Sequence, residues 1–332
     1  MTTDYPAAII RTVGSPSVID GRARFREIFC QLLEAESDDQ SPVGECEEFL
    51  LQLNDEPAPA EPPCPLTKRT ARFRVMIVPG FLNECFSNIA LPLEEAILSL
   101  NDQKVKAEVL MVSGHSSSEA NAIYIAETIL GLDLDEDEYL VILGHSKGAV
   151  DILHALVDVP EASKRVAAVI SVSGAINGTP LVEKVDEISF DLARNFLPDS
   201  CDEGDGGALN SLRTATRLSW IAANPLPGSV RYFSLATFTR REHINTLLKA
   251  GYDQLQIFSP RNDGLLLVSD QIIPGGILLG YANSDHWSVV LPLDKKNLMI
   301  SGTVQMPKPF PRTILLRAML LYVAETLETS KE

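Results

Sequence analysis

From Arg72 onward, short runs of β-branched and aliphatic residues alternate with longer stretches that have apolar residues at helical spacing. Strands that alternate with helices of this length pair side by side through right-handed crossovers. We therefore expect a mainly parallel central sheet with helices on both faces, the α/β class, with ligands bound beyond the carboxyl ends of the strands. The predicted strands are 72–80, 105–114, 138–144, 166–174 and 229–237, and the predicted helices are 86–101, 118–131 and 147–158.

The run 138–144 leads directly into the sequence GHSKG, in which Ser146 stands between Gly144 and Gly148. A tight turn from strand to helix strains its central residue and brings neighbouring chain close, so small residues are needed on both sides. The turn exposes the serine hydroxyl at the sheet edge, where the helix N-terminus adds positive electrostatic character. This pattern predicts a nucleophile elbow.

Two later motifs complete the pattern. Asp263 lies in an Asn-Asp-Gly turn after the predicted strand YDQLQIF, and His286 follows 23 residues later in the sequence SDHW. Together with GHSKG, these motifs resemble the lipase-type members of the α/β-hydrolase superfamily over roughly residues 73–330. The resemblance implies an α/β-hydrolase fold and a Ser146–Asp263–His286 triad. His286 would take the serine proton and return it to the leaving group, while Asp263 fixes the imidazole.

Two other carboxylates are alternatives to Asp263 as the triad acid. Asp285 is adjacent to His286 and is therefore badly placed to reach its ring, whereas Asp270 would serve if the preceding strand ended later. The remaining histidines are predicted to be packing or surface residues. They are His115, His145, His154 and His243.

The resemblance also implies an oxyanion hole with two backbone N–H donors, one from Lys147 and one from Phe81. The chain has Pro79-Gly80 where the family commonly has His-Gly, which leaves the shape of the hole open. The position of Lys147 is often apolar in the family. We expect its side chain to extend to solvent, with contact to an anionic headgroup as the alternative.

Two regions depart from the alternating pattern. Residues 1–71 are predicted as an N-terminal helical extension with an acidic, proline-rich linker, ahead of a hydrolase domain at 72–330. Within that domain, 175–228 is predicted as a lid insertion, the alternative being a surface excursion without a gating role. The segment 21–36 has the spacing of an amphipathic helix. Its apolar stripe consists of Phe25, Ile28, Phe29, Leu32 and Leu33.

Composition excludes several classes of protein. The net charge of −17 argues against nucleic-acid binding, and no apolar run reaches the roughly 18 residues of a membrane span. The five cysteines are odd in number and lack metal-ligand spacing, which favours a reducing compartment over a disulfide framework. A serine-based mechanism needs no metal and no organic cofactor, and none is expected. The first residues lack the pattern of a secretion signal, and a cytoplasmic location is expected.

These observations predict a serine hydrolase that cleaves carboxylic esters through an acyl-enzyme. Apolar residues of the lid, including Phe196 and Trp220, favour lipid or other acyl esters as substrates. The alternatives are an acyltransferase or thioesterase that uses the same triad, and a non-catalytic interaction protein that docks through residues 1–71. A transient contact with a membrane surface and a protein partner of residues 1–71 are left open.

Overall fold

The structure is a computed structural model that describes residues 17–36, 44–58, 72–81, 91–183, 202, 204–293, 303, 305 and 307–329. Its strands are β1 (Ile19–Asp20), β2 (Leu50–Leu51), β3 (Arg72–Val78), β4 (Lys106–Val109), β5 (Glu138–His145), β6 (Val166–Val172), β7 (Arg231–Phe238) and β8 (Ile277–Asn283). Its α-helices are α1 (Arg22–Glu36), α2 (Cys46–Phe49), α3 (Glu94–Asp102), α4 (Ser118–Gly131), α5 (Lys147–Asp158), α6 (Pro160–Ser163), α7 (Ala208–Ser211), α8 (Thr214–Ala223), α9 (Lys249–Leu255) and α10 (Arg312–Thr329). Short 3₁₀ helices lie at Pro180–Val182, Arg241–His243, Thr246–Leu248 and Val268–Asp270.

The strands form one sheet in the order β1-β8-β7-β6-β5-β3-β4, with β2 beside β8. The neighbours along this order are parallel, and β2 runs antiparallel to β8. Register places Val78 beside Gly144 and Gly144 beside Ser171, so the carboxyl ends of the central strands lie at one edge. The predicted α/β-hydrolase fold with a mainly parallel sheet is therefore confirmed.

Alternation along the strands divides the core between the two faces of the sheet. Val75 and Ile77 of β3 pack in a cluster with residues of α1, α3 and α10. Met76 and Val78 of the same strand pack in a second cluster with residues of α4 and α5. Helices therefore cover both faces, and the loops at the carboxyl edge remain to carry the polar side chains.

The structure confirms the predicted helices 118–131 and 147–158, but the expected strand YDQLQIF is wrong. Its first residues belong to α9, and the chain continues in a turn. Tyr252 and Leu255 are the buried residues of this helix, three positions apart, which is helical spacing rather than the alternation of a strand. Asp263 is consequently reached from β7 through α9. The strand that precedes His286 is β8, which the sequence did not reveal.

The described part of the N-terminal segment belongs to the core of the sheet. The five apolar residues of the predicted amphipathic stripe are buried on α1, which confirms that helix, and α1 packs against α10. β1 and β2 both pair with β8. Buried Arg26 connects the two parts of the segment, because Nη1 donates to the carbonyl of Leu50 at 2.8 Å and Nη2 to Glu56 at 3.0 Å. The division of the chain at residue 71 stays a prediction.

A disulfide bond joins Cys30 of α1 to Cys46 of α2, with Cα atoms 5.3 Å apart. The expectation of no disulfide framework is therefore wrong for this pair. The spacing of 16 residues has no distinctive pattern, and only the packing of α1 beside α2 brings the two sulfurs together.

Loss of this disulfide is expected to destabilise the protein by about 3 kcal/mol, because the bond closes a short loop in the unfolded chain. The measurement is thermal unfolding of the wild-type protein with and without a phosphine reductant. The Cys30→Ser/Cys46→Ser variant is the control, since its melting temperature should be low and insensitive to reductant. Equal melting temperatures of the oxidised and reduced wild type would contradict this expectation.

The interval 175–228 is described at 175–183, 202 and 204–228, so the predicted lid stays a prediction and Phe196 lies outside the described residues. Within the interval, α8 packs on α5. The Trp220 ring stacks on His154 at 4.0 Å between centroids, and the buried Arg217 guanidinium lies 4.7 Å from the Trp220 ring. This packing does not support the prediction that Trp220 contacts acyl chains.

Candidate active site

Ser146 lies between β5 and α5 with φ 55° and ψ −125°, a strained backbone conformation for a residue with a side chain. The carbonyl of Ser146 accepts hydrogen bonds from the N–H groups of Ala149 and Ala175, at 3.2 and 3.1 Å, and the N–H of Ser146 donates to the carbonyl of Val172 at 3.3 Å. Contacts on both sides therefore hold the turn in its strained form.

Three glycines make this turn sterically feasible. A Cβ on Gly144 would lie 2.4 Å from the Cα of Ala149, and one on Gly148 would lie 2.3 Å from the carbonyl oxygen of Val78. On Gly80, in the loop after β3, it would lie 2.6 Å from the Cβ of Ser146. The loop after β3 and the elbow thus touch at the serine, as an oxyanion hole between them requires.

Asp263 and His286 meet at the same edge. The Nδ1 of His286 lies 2.8 Å from the Oδ2 of Asp263, and the N–H of His286 donates to the carbonyl of Asp263 at 3.0 Å. Both side chains are buried, Asp263 completely. Since Nδ1 faces the carboxylate, Nε2 is the nitrogen that remains for an exchange with a hydroxyl.

The loop that carries His286 is attached to the elbow through His145. The Nε2–H of His145 donates to the carbonyl of His286 at 2.9 Å, and the two ring centroids are 4.9 Å apart. Burial, together with the neighbouring His286, lowers the pKa of His145 to about 3, so its ring stays neutral and serves as a hydrogen-bond donor. Because His145 precedes Ser146, this contact places the His286 loop beside the serine.

Polar side chains that sequence reasoning missed hold the Asp263 carboxylate. Its Oδ2 accepts from the hydroxyl of Thr237 at 2.7 Å and from the amide of Gln271 at 3.4 Å. Its Oδ1 accepts from the N–H groups of Leu265 and Leu266, at 3.0 and 2.7 Å. These bonds stabilise the ionised acid in a buried place. Nothing in the sequence around Thr237 or Gln271 signals this role.

The two alternative acids have other partners. Asp285 accepts from the N–H groups of Trp287 and Ser288 with Oδ1 and from the N–H of Asn245 with Oδ2, so it closes its own turn. Burial raises the pKa of Asp285 above its usual value. Burial also raises the pKa of Asp270 to about 7, and its side chain bonds with Asn177 and Ser269. The structure thus brings His286 together with Asp263.

The remaining histidines are packing or partly buried residues, as predicted. His154 accepts from the Nη1 of Arg217 at 2.7 Å, and burial, with Arg217 nearby, lowers its pKa to about 3. His115 bonds through Nδ1 to the carbonyl of Asp202 at 2.9 Å and meets the ring of Phe81 edge-on, 6.0 Å between centroids. His243 is partly buried in a 3₁₀ helix.

The expectation for the side chain of Lys147 is wrong. It is 1% exposed, and Nζ bonds both oxygens of Asp151, at 2.8 and 2.9 Å. Solvent and an external headgroup are therefore not its partners. A buried ammonium needs a paired carboxylate, and Asp151 lies four residues later on the same face of α5. That spacing is the signal from which the pair could have been predicted.

An apolar cluster gathers side chains from the elements around the serine. The cluster joins the loop after β3, α5, the segment after β6, α7 and the loop of Asp263. Its members are Phe81, Val150, Ala175, Val182, Leu209, Leu212, Leu265 and Leu266. In the described ranges, acidic, histidine and cysteine side chains form no group of three or more suited to a metal ion.

The site combines a strained serine between glycines, a buried imidazole hydrogen-bonded to a carboxylate, and an adjoining apolar cluster. This combination on an α/β sheet is typical of hydrolases. No family model matches the chain, and no curated protein matches it either. Among solved structures, the metagenomic carboxyl esterase MGS0156 is 38% identical, with a TM-score of 0.84 over 98% of this chain and 97% of its own. The Bacillus licheniformis lipase BlEst2 in its propeptide form is 18% identical, with a TM-score of 0.53 over 66% of this chain and 47% of its own, which shows the fold alone.

Identity at this level over nearly the whole length shows the family. The chain belongs to the carboxylic ester hydrolases that have the α/β-hydrolase fold.

Proposed function

We propose that the protein hydrolyses esters of apolar acyl chains through an acyl-enzyme on Ser146, with His286 as general base and Asp263 as the acid that orients it. The observation that carries the proposal is the buried Asp263–His286 pair, whose loop is joined by His145 to the strained serine. A serine hydroxyl is a weak nucleophile at neutral pH and needs such a base.

In the first step, His286 takes the proton from the Ser146 hydroxyl as the serine oxygen bonds to the ester carbonyl carbon. The carbon–oxygen bond to the alcohol then breaks, and His286 returns the proton to the leaving oxygen. A water molecule repeats the sequence on the acyl-enzyme and releases the carboxylic acid. Asp263 stabilises the imidazolium in both steps. The backbone N–H groups of Lys147 and Phe81 would hold the oxyanion.

The test is covalent labelling with a fluorophosphonate. We expect the wild-type protein to gain one phosphonyl group, located on Ser146 by peptide mass spectrometry, and the Ser146→Ala variant to gain none. Failure of well-folded wild-type protein to react would favour the non-catalytic alternative. That alternative required residues 1–71 to be available for docking to a partner. The described part of this segment instead packs on the hydrolase domain, which counts against the alternative.

The apolar cluster beside Ser146 supports an acyl substrate. We expect kcat/KM for p-nitrophenyl octanoate to exceed that for the acetate by roughly tenfold or more, since two further buried methylene groups at about 0.8 kcal/mol each suffice. Leu209→Ala should reduce this preference. Leu247→Ala, which changes an exposed leucine outside the cluster, should not. A preference for the acetate would count against an acyl pocket at this place.

Contact with a membrane surface and the cellular location of the protein remain proposals. No described helix is sufficiently long and apolar to span a bilayer. Transient contact with a membrane surface would follow from a lipid substrate. A cytoplasmic location was expected from the cysteine pattern, but the Cys30–Cys46 disulfide favours an oxidising environment, because such bonds rarely persist in a reducing cytosol.

A further inference from the structure

Lys147 stands at an unfavourable place for a cation. It is the first residue of α5, where the helix macrodipole is positive, and its side chain is 1% exposed. Burial of an ammonium costs several kcal/mol of hydration even before the dipole is counted. An apolar side chain would avoid both costs. The ammonium charge of Lys147 therefore requires a specific partner that compensates it.

That compensation comes from Asp151 and from the neighbouring helix. Asp151 is also 1% exposed, and besides Lys147 it accepts hydrogen bonds from the hydroxyl of Ser118 at 2.6 Å and from the amide of Asn121 at 2.7 Å. The N–H of Ser118 in turn donates to the hydroxyl of Ser211 on α7 at 2.9 Å. Through these hydrogen bonds the pair connects the first turn of α5 to the start of α4, and α4 in turn to α7, a helix that contributes to the apolar cluster.

We propose that the buried Lys147–Asp151 pair is a positioning device for the oxyanion hole, an inference that rests on the proposed function. The backbone N–H of Lys147 belongs to the peptide bond between Ser146 and Lys147. The hydrogen bonds of the Lys147 side chain to Asp151 fix the direction of that N–H. Because the Asp151 carboxylate offsets the ammonium charge, the effect of the pair is one of position, and it acts on the transition state more than on the bound ester.

Removal of the pair should therefore lower kcat with little change in KM. Lys147→Met keeps the length of the side chain and removes its charge, and we expect kcat to fall about 10- to 100-fold. Asp151→Asn, which leaves the ammonium without its counterion, should have an effect of similar size. The double variant should lose no more than the worse single variant, because the two residues act as one device.

The readout that separates positioning from stability is the affinity for butylboronic acid, which forms an anionic tetrahedral adduct with a reactive serine. Its Ki should rise by the same factor by which kcat falls. The matched control is Arg26→Met, which breaks a buried ion pair with Glu56 in the N-terminal segment. That variant should lose stability while its kcat and its Ki stay at the wild-type values.

A milder pair of variants covers the case in which Lys147→Met does not fold. Ser118→Ala removes one hydrogen bond from the Asp151 carboxylate, and a threefold to tenfold fall in kcat, about 1 kcal/mol, is expected. Its matched control is Ser163→Ala, since Ser163 is also buried but donates only to the carbonyl of Pro160 at 2.8 Å on α6. Ser163→Ala should leave kcat unchanged.

Two outcomes would overturn the inference. One is wild-type kcat and Ki in folded Lys147→Met and Ser118→Ala proteins, and the other is a rise in KM with kcat unchanged. Ser146→Ala is measured in parallel. If that variant keeps the wild-type turnover, the proposed function fails. If it is inactive while Lys147→Met is fully active, only the role of the pair is rejected.

Discussion

Ser146→Ala is expected to lower kcat for ester hydrolysis by about 10⁶-fold, because no oxygen remains to form the acyl-enzyme. The fold should persist. Alanine keeps the Cβ that the turn already accommodates at φ 55°, and the hydrogen bonds that hold the turn use only the backbone of residue 146. The measurement is turnover of a p-nitrophenyl ester by protein that carries no wild-type contamination, with circular dichroism as the check on folding.

Ser173→Ala is the matched control for this variant. Ser173 is a second serine with positive φ, 48°, at the carboxyl edge of the neighbouring strand; it is completely buried, and its hydroxyl lies 2.7 Å from that of Thr237. The same substitution there removes one hydrogen bond from the surroundings of the acid, and kcat should fall by less than tenfold. If Ser146→Ala kept more than about 1% of the activity, another nucleophile would have to be sought.

Asp263→Asn is expected to lower kcat by about 10⁴-fold. The asparagine side chain fits the same space, but it carries no charge to stabilise the imidazolium. Its amide also competes with the donors from Thr237, Leu265 and Leu266 and favours the wrong tautomer of His286. The measurement is kcat across pH 6 to 9, with KM as the check on substrate binding.

The other two carboxylates supply the matched controls for the acid. Asp270→Asn and Asp285→Asn make the same chemical change in buried acids whose described partners do not include the ring of His286. Both variants should keep kcat within about tenfold of the wild-type value, although Asp285→Asn will loosen the turn that carries the histidine. A loss in Asp270→Asn as large as that in Asp263→Asn would reassign the acid.

The elbow could be predicted from sequence because its requirements are local. A β-branched run, two glycines around a serine and helical spacing afterwards suffice to specify a strand, a tight turn and a helix. The glycine contacts in the structure give the physical reason, since a methyl group at Gly144 or Gly148 would overlap backbone. The bounds of α4 and α5 could be predicted because the helical spacing of apolar residues is also a local signal.

Features that depend on distant parts of the chain could not be predicted in this way. The side of β8 opposite β7 pairs with β1 and β2, which come from the first sixth of the sequence, and two-residue strands leave no periodicity to read. The Cys30–Cys46 bond and the Thr237 hydroxyl on Asp263 depend on contacts that only the folded sheet creates. The prediction of a strand at YDQLQIF was wrong because a short apolar segment fits either a helix or a strand.

The brevity of β1 and β2 has a consequence for association between molecules. An open sheet border presents free amide and carbonyl groups to which another chain can add. In the part of the chain that the structure describes, the seven-residue strand before the His286 loop pairs with β7 on one side, and on its other side β1 and β2 each offer a ladder of only two residues to the outside. Fibre-like growth through that border therefore has little template.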